Sequence, residues 1–338
     1  MTLVASWIRV TLGGEELVVA SDSRLTGGLQ LDHAPKIFRL ERQDAVIAYC
    51  GPTIVAYPIL FQIKASLDAH EETRSRVLDI VHLKSHIEKV IESLRSKVVD
   101  LPCQDGTNRA FKFLLAGYSW KMCAYRMWTF RYDLITGEFN AHSARKSGNF
   151  IFMSDMADNE KRALDSLIRR LEHKPNDSLR SLNWQPFEVL LEVIRDPDVP
   201  DVGGPPQLVK VYKHANTLPI NVIWPKDEVK NSRAIRGFEV THLGRPLLGY
   251  ERSKYLVMDP DALELIEPWK AVQRIELNTT QETERVKKLL LAEVCCAIAS
   301  LRDKRAKTEL INRMILAKEP FEKIQAAMHG ALSVPLFC

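Results

Sequence analysis

From Leu3 to Trp224 the hydrophobic period of this chain keeps switching, and that alternation limits the fold more than any single motif. Leu3 to Val10 and Leu17 to Ala20 are β-rich runs separated by Gly13-Gly14-Glu15-Glu16, a hairpin signal. Lys36 to Leu40 and Ala45 to Tyr49 predict a second hairpin, turning at Glu41 to Asp44. After Gly51-Pro52-Thr53 the period becomes helical: Val55, Ile59, Ile63 and Leu67 recur on one face, and Val77 to Val98 predicts a second helix. Strands are expected again at Phe111–Gly117, Cys123–Tyr132, Glu138–Ala144 and Asn149–Met153. Helices follow near Ala157–Leu171 and Phe187–Ile194, and the turn-rich Pro197 to Pro206 reads as loop. Strands return at Gln207–Tyr212 and Pro219–Trp224, with two further candidates at Gly237–His242 and Pro246–Tyr250.

Two stacked antiparallel sheets, each carrying a helix pair on its outer face, would bury every apolar stripe in that order. The predicted class is therefore α+β, in the form of a four-layer αββα sandwich. From Tyr255 onward the pattern turns helical, at Thr283–Leu301, Lys304–Leu316 and Phe321–Met328. Residues 1–252 are thus expected to form the sandwich and residues 253–338 a mainly helical C-terminal extension.

Charge narrows the partners. With 47 basic against 43 acidic residues the net charge is only +4, and no basic stripe or tail is visible, which argues against nucleic acid. The most apolar segment, Leu289 to Leu301, is interrupted by Glu293 and falls short of the ~20 residues a membrane helix needs. The start of the chain does not read as a secretory signal. Six scattered cysteines without a CxxC pair fit reduced thiols, so a cytoplasmic protein is expected.

The chemistry concentrates near the start. Aminopeptidase removes an initiator methionine that precedes a small residue, which would expose Thr2 as the first residue. A free α-amine titrates near pH 8 and can act as the base for its own hydroxyl, so no histidine is needed. Asp22, in Ala20-Ser21-Asp22-Ser23-Arg24, falls where the second strand ends beside the start of the first. Lys36, in Pro35-Lys36-Ile37, enters the next strand; a lysine beside the amine would hold it neutral, and a carboxylate would hold the lysine charged and oriented. Gly51, between strand and helix, could offer its backbone N–H to a developing oxyanion, with the helix dipole behind it.

Thr2, Val18-Val19-Ala20-Ser21-Asp22-Ser23-Arg24, Pro35-Lys36-Ile37-Phe38-Arg39-Leu40 and Val46-Ile47-Ala48-Tyr49-Cys50-Gly51-Pro52-Thr53 together resemble the opening of proteasome β-subunit-type N-terminal-nucleophile (Ntn) hydrolases. The bacterial proteasome-like threonine peptidases are the members most similar to it. The resemblance implies Thr2 as nucleophile, Asp22 and Lys36 as its assistants, and Gly51 as an oxyanion-hole donor. Ser154, in Ile151-Phe152-Met153-Ser154-Asp155, stands where the family places a serine near the threonine amine, although the flanking glycines of that loop are missing. The family's later aspartate should lie within Asp198 to Gly204, with Asp201 as the nearest counterpart. The resemblance also implies a peptide or protein substrate, a homo-oligomer that can close into a ring, and no cofactor or metal.

Each of these residues has a plainer reading as well. Thr2 could be a surface residue at a chain start, Asp22 a turn cap, Lys36 a solvated strand residue, Gly51 a turn glycine and Ser154 a helix N-cap. His82 and His86 share a helix face at metal-binding spacing, but no HExxH pattern or cysteine partner accompanies them. Two other functions therefore stay open beside the peptidase: an Ntn amidase acting on a small-molecule amide, and a catalytically inactive proteasome-like scaffold that binds a partner through its C-terminal helices.

Overall fold

A computed structural model describes residues 1–26, 30–97, 111–133, 138–144, 149–172, 182–213, 216–226, 237–248, 255–278 and 280–281. β1 (Leu3–Thr11) and β2 (Gly14–Ser21) form the first hairpin, in register from Val4 opposite Ser21 to Thr11 opposite Gly14. Gly14 takes φ +110°, a backbone region that side chains with a Cβ rarely enter. β3 (Ile37–Arg39) and β4 (Ala45–Cys50) pair antiparallel, and three helices follow: α1 (Thr53–Ala69), the single turn α2 (Glu71–Arg74) and α3 (Ile80–Arg95).

The start of α3 has a clear cause. The Asp79 side chain accepts from the Val81 N–H at 3.0 Å, satisfying one of the donors a helix N-terminus leaves open. Beyond that cap, Ile80, Leu83, Ile87 and Ile91 come round one face at intervals of three and four, and all are buried. Asp79 also accepts from the Ser119 hydroxyl and the Lys121 N–H, which ties the helix start to the strand that follows.

That strand is β5 (Lys112–Ser119), joined in sequence by β6 (Ala124–Asp133), β7 (Glu138–Ser143) and β8 (Phe150–Ser154). Then come α4 (Ala157–Glu172), α5 (Gln185–Arg195), β9 (Gln207–Tyr212), β10 (Asn216–Pro225), β11 (Phe238–His242), β12 (Arg245–Pro246), β13 (Val257–Asp259) and β14 (Glu264–Ile266). One sheet runs β12-β11-β10-β9-β2-β1-β8, with β13 added parallel to β10 and β14 on β13; the other runs β3-β4-β5-β6-β7. The fold is mixed α+β.

Alternation along the strands explains the packing. Leu3, Ala5 and Trp7 turn one way and pack with Leu167 of α4 and with Phe187 and Leu190 of α5. Val4 turns the other way, into a core that Leu17, Val19 and Val209 share with Val46, Ala48, Leu114 and Ala116 of the second sheet. The opposite face of that second sheet, through Ile47, Tyr49, Phe113 and Leu115, meets Leu60, Ile63, Ile87 and Ile91 of α1 and α3. Strands covered on both faces read as continuous apolar runs, which is why Leu3 to Trp7 and Ala45 to Cys50 are buried without a break. Each fully buried aliphatic side chain of this kind contributes about 1.5–3 kcal/mol. Trp7, Trp128 and Trp184 lie in or against these cores.

Between residues 255 and 266 the structure adds two short strands that the sequence pattern does not predict. β13 and β14 belong to the first sheet, and the first unit comprises Met1–Trp224 with Glu239–Ala271. Three-residue strands are too short to carry a period of their own. They pair with each other, and β13 joins the sheet through β10, a neighbour distant in sequence. The second unit holds Pro225–Phe238 and Val272–Cys338, and residues 272–278 are helical. The helices expected at 283–301, 304–316 and 321–328 lie outside the described residues. No helix among the described residues is long and apolar enough to cross a membrane.

Candidate active site

Four of the residues singled out from sequence come together where β1, β2 and β8 begin or end. Antiparallel pairing sets Leu3 opposite Ser154 on one side, and Val4 opposite Ser21 on the other. Thr2 therefore lies between the segment leaving β2, which carries Asp22, and the segment leaving β8, which carries Ser154 and Asp155. Lys36 enters the second sheet just ahead of β3, and its side chain crosses to this point.

The centre is an ion pair cut off from water. Lys36 Nζ donates to both carboxylate oxygens of Asp22 at 2.9 Å, and neither side chain is exposed at all. Taking two charges out of water is costly unless hydrogen bonds satisfy what remains of each. Asp22 meets that condition through backbone donors: its Oδ1 accepts from Leu3 N–H at 3.1 Å, and its Oδ2 from the N–H groups of Arg24 and Gly203, each at 3.2 Å. Lys36 Nζ gives a third contact to the Met1 carbonyl at 3.3 Å, beside the peptide bond that precedes Thr2. Burial pushes the Lys36 ammonium below the ordinary lysine range, and the attraction of Asp22 only partly opposes it.

Gln207, at the start of β9, fixes the Lys36 backbone. Its Oε1 accepts from the N–H groups of Lys36 and Ile37 at 3.0 and 3.2 Å, while its Nε2 donates to the Asp22 and Ala34 carbonyls at 3.2 and 2.7 Å. A fully buried amide thus staples the segment after β2, the approach to β3 and the start of β9. Sequence reasoning missed Gln207; its one signal is an amide heading the apolar run Leu208-Val209.

Thr2 is 2% exposed, with its nitrogen donating to Asp155 Oδ1 at 2.9 Å. The Met1 amino group donates to Thr26 Oγ1 at 2.7 Å, and the Met1 side chain packs against the core beneath α4 and α5. Ser154 is buried as the last residue of β8; its hydroxyl donates to Asp155 Oδ1 at 3.4 Å and accepts from Met156 N–H at 3.3 Å. It therefore caps the turn that precedes α4 while lying one residue from the carboxylate that holds the Thr2 nitrogen. Asp155 is the site's second unforeseen residue. The segment 198–204 reaches the site through the Gly203 N–H rather than through Asp201, and Val202 is buried in the core.

Gly51 follows β4 at φ +114°, where an added Cβ would lie 2.6 Å from the Phe111 Cα; only glycine fits there. It stands one residue past Cys50, whose thiol burial raises well above its usual range, with the Asp155 charge adding to the rise. Immediately after Gly51 comes the N-terminus of α1, whose cap residue Pro52 makes no side-chain hydrogen bond. His82 and His86 are engaged elsewhere, His82 Nε2 with Lys121 at 3.2 Å and His86 Nε2 with the Ser66 hydroxyl at 2.9 Å. Among the described residues no group of three or more histidine, cysteine, aspartate or glutamate side chains gathers at metal-binding distance.

Chemically, the cluster offers a hydroxyl, a nitrogen that becomes a primary amine on loss of Met1, a lysine beside the peptide bond that ends in that nitrogen and a carboxylate on each side. No family model matches the chain, and no curated protein matches it.

Proposed function

We propose that this chain is a threonine-type N-terminal-nucleophile hydrolase of the proteasome β-subunit type, cleaving peptide bonds with Thr2 as its nucleophile once Met1 is removed. The observation that carries the reading is Lys36: a fully buried ammonium held by Asp22 at 2.9 Å and lying 3.3 Å from the Met1 carbonyl. A positive charge there disfavours protonation of the adjacent amine, keeping it basic near neutral pH.

In this mechanism Thr2 Oγ attacks the substrate carbonyl carbon, and its proton passes to the Thr2 amine. Collapse of the tetrahedral intermediate breaks the C–N bond, and the leaving amine takes that proton. Water, deprotonated by the same amine, then attacks the Thr2 ester; the acyl C–Oγ bond breaks, the amine returns the proton to Thr2 Oγ, and a carboxylic acid is released. The Gly51 N–H and the dipole of α1 are assigned to the oxyanion. On this proposal the two sheets and their helix pairs form an αββα Ntn sandwich, in a cytoplasmic homo-oligomer that can close into a ring and needs no cofactor.

One observation favours a second reading, a non-catalytic scaffold of the same fold. Asp22 accepts from three backbone N–H groups and thereby stitches Leu3, Arg24 and Gly203 together, which is useful to a fold even without chemistry. A single experiment separates the two. Intact mass of the untagged chain reports removal of Met1, and a β-lactone or epoxyketone probe is then applied to wild type and Thr2→Ala. Labelling confined to wild type supports the hydrolase; an unlabelled wild type that has lost Met1 leaves the scaffold.

A further inference from the structure

We propose that Asp155 is the positioning residue for the Thr2 α-amine, orienting it and setting the pH at which it serves as base. This rests on the reading of Thr2 as an N-terminal nucleophile and adds to it a residue outside that family's usual assistants.

The geometry comes first. The β1–β8 register sets Leu3 opposite Ser154, so the next residue on each strand, Thr2 and Asp155, also meet across the ladder. Asp155 Oδ1 accepts from the Thr2 N–H at 2.9 Å. A carboxylate can only accept. It therefore takes an N–H of the amine and turns the lone pair away from itself, which leaves that lone pair available to the threonine's own hydroxyl. The Ser154 hydroxyl donates to the same oxygen at 3.4 Å and helps hold the carboxylate in place.

The charges around the amine favour Asp155 over Asp22 as the carboxylate that acts on it. Asp22 already accepts from Lys36 and from three backbone N–H groups. Lys36, reaching in from the approach to β3, opposes protonation of the amine, while Asp155 favours it. From β4 comes the Cys50 thiol, held protonated by burial. From β5 and α4 come Lys112 and Glu160, paired to each other at 2.6 Å, with Lys112 also bonded to the Ser154 carbonyl. Asp155 is thus the anion in direct contact with the Thr2 nitrogen, and it balances Lys36. The working pH of the base follows from the two together.

The test uses the full chain with Thr2 as its first residue, released from a cleavable N-terminal fusion. The α-amine is titrated by the pH dependence of its acylation with an anhydride, read by mass spectrometry on the N-terminal peptide. The pH–rate profile of β-lactone labelling at Thr2 is recorded in parallel. In Asp155→Asn the amine midpoint and the acid limb of the labelling profile are expected to move down together by about one pH unit, a tenfold change in free amine at fixed pH. The plateau rate falls as orientation is lost, and Asp155→Glu returns the midpoint towards wild type. An unmoved midpoint in Asp155→Asn, with Thr2 still labelled, overturns the role of Asp155 and leaves the hydrolase intact. A wild type that is not labelled overturns the hydrolase reading, and this proposal with it.

Discussion

Replacing Lys36 by methionine tests whether the buried ion pair works as the geometry implies. Methionine keeps most of the lysine's length and volume, and the backbone bonds from Lys36 and Ile37 to Gln207 do not involve the side chain. What the substitution removes is the ammonium lying 2.9 Å from both oxygens of an Asp22 with no exposed side-chain surface. Removing one partner of such a pair leaves an uncompensated charge in the interior and costs about 3–5 kcal/mol. Three backbone donors still hold Asp22, which places the expected loss near the lower end, about 3 kcal/mol. Against a domain stability of ~5–15 kcal/mol that is a large fraction. Asp22→Asn also destabilises, because whichever way the amide turns, its NH2 group faces a backbone N–H donor and the Lys36 ammonium. In the double variant no buried charge remains at this point, so its cost is expected to fall short of the sum of the singles by about 2 kcal/mol. Urea unfolding followed by tryptophan fluorescence suits the measurement, since Trp7 and Trp184 are both buried in the core on the α5 side. A Lys36→Met loss under about 1 kcal/mol, or singles that add within about 0.5 kcal/mol, would refute the reasoning.

Three further outcomes are expected. Gly51→Ala forces a Cβ into a backbone at φ +114° and to within 2.6 Å of the Phe111 Cα; it should cost about 2 kcal/mol or more, read as a fall in urea midpoint, and an unchanged midpoint would count against this geometry. Asp79→Ala removes the α3 cap and strands the Ser119 hydroxyl and Lys121 N–H, for an expected loss of about 2–3 kcal/mol; a change below about 0.5 kcal/mol would count against that cap. Burial works to raise the Asp32 carboxyl, but hydrogen bonds and charge from Arg24 outweigh it and hold the group below the ordinary aspartate range. Its pairing energy is therefore present above the unfolded carboxylate pKa of about 3.9 and lost as pH falls through the lower folded value. NMR titration should find the Asp32 midpoint rising in Arg24→Gln, and an unmoved midpoint would contradict the contact.

Much of the fold was legible in the sequence because its signals are local. The i, i+4 recurrence of Val55, Ile59, Ile63 and Leu67 lies inside α1, and the stripe of Ile80, Leu83, Ile87 and Ile91 inside α3; no distant residue is needed to read either. Gly13-Gly14 marked the first hairpin in the same way, since the backbone conformation at Gly14 is a property of that residue. β13 and β14 are not legible in the sequence because three residues hold no period, and the strand that joins them to the sheet, β10, lies over thirty residues away.

For the candidate site, the sequence by itself determined the chemical types and their order: a threonine after Met1, an aspartate at the end of one strand, a lysine entering another, a glycine between strand and helix. Those follow from local pattern, because the end of a strand or the start of a helix is marked by the residues around it. Tertiary structure alone decided which groups meet. The antiparallel register of β1 with β8 brought Asp155, rather than Asp201, to the Thr2 nitrogen. The distant strand β9 supplied Gln207 to hold Lys36, and the loop before it supplied the Gly203 N–H to Asp22. Shifting a ladder by one residue exchanges every side chain between faces while changing the local pattern hardly at all, so these encounters exist only once the sheets have closed.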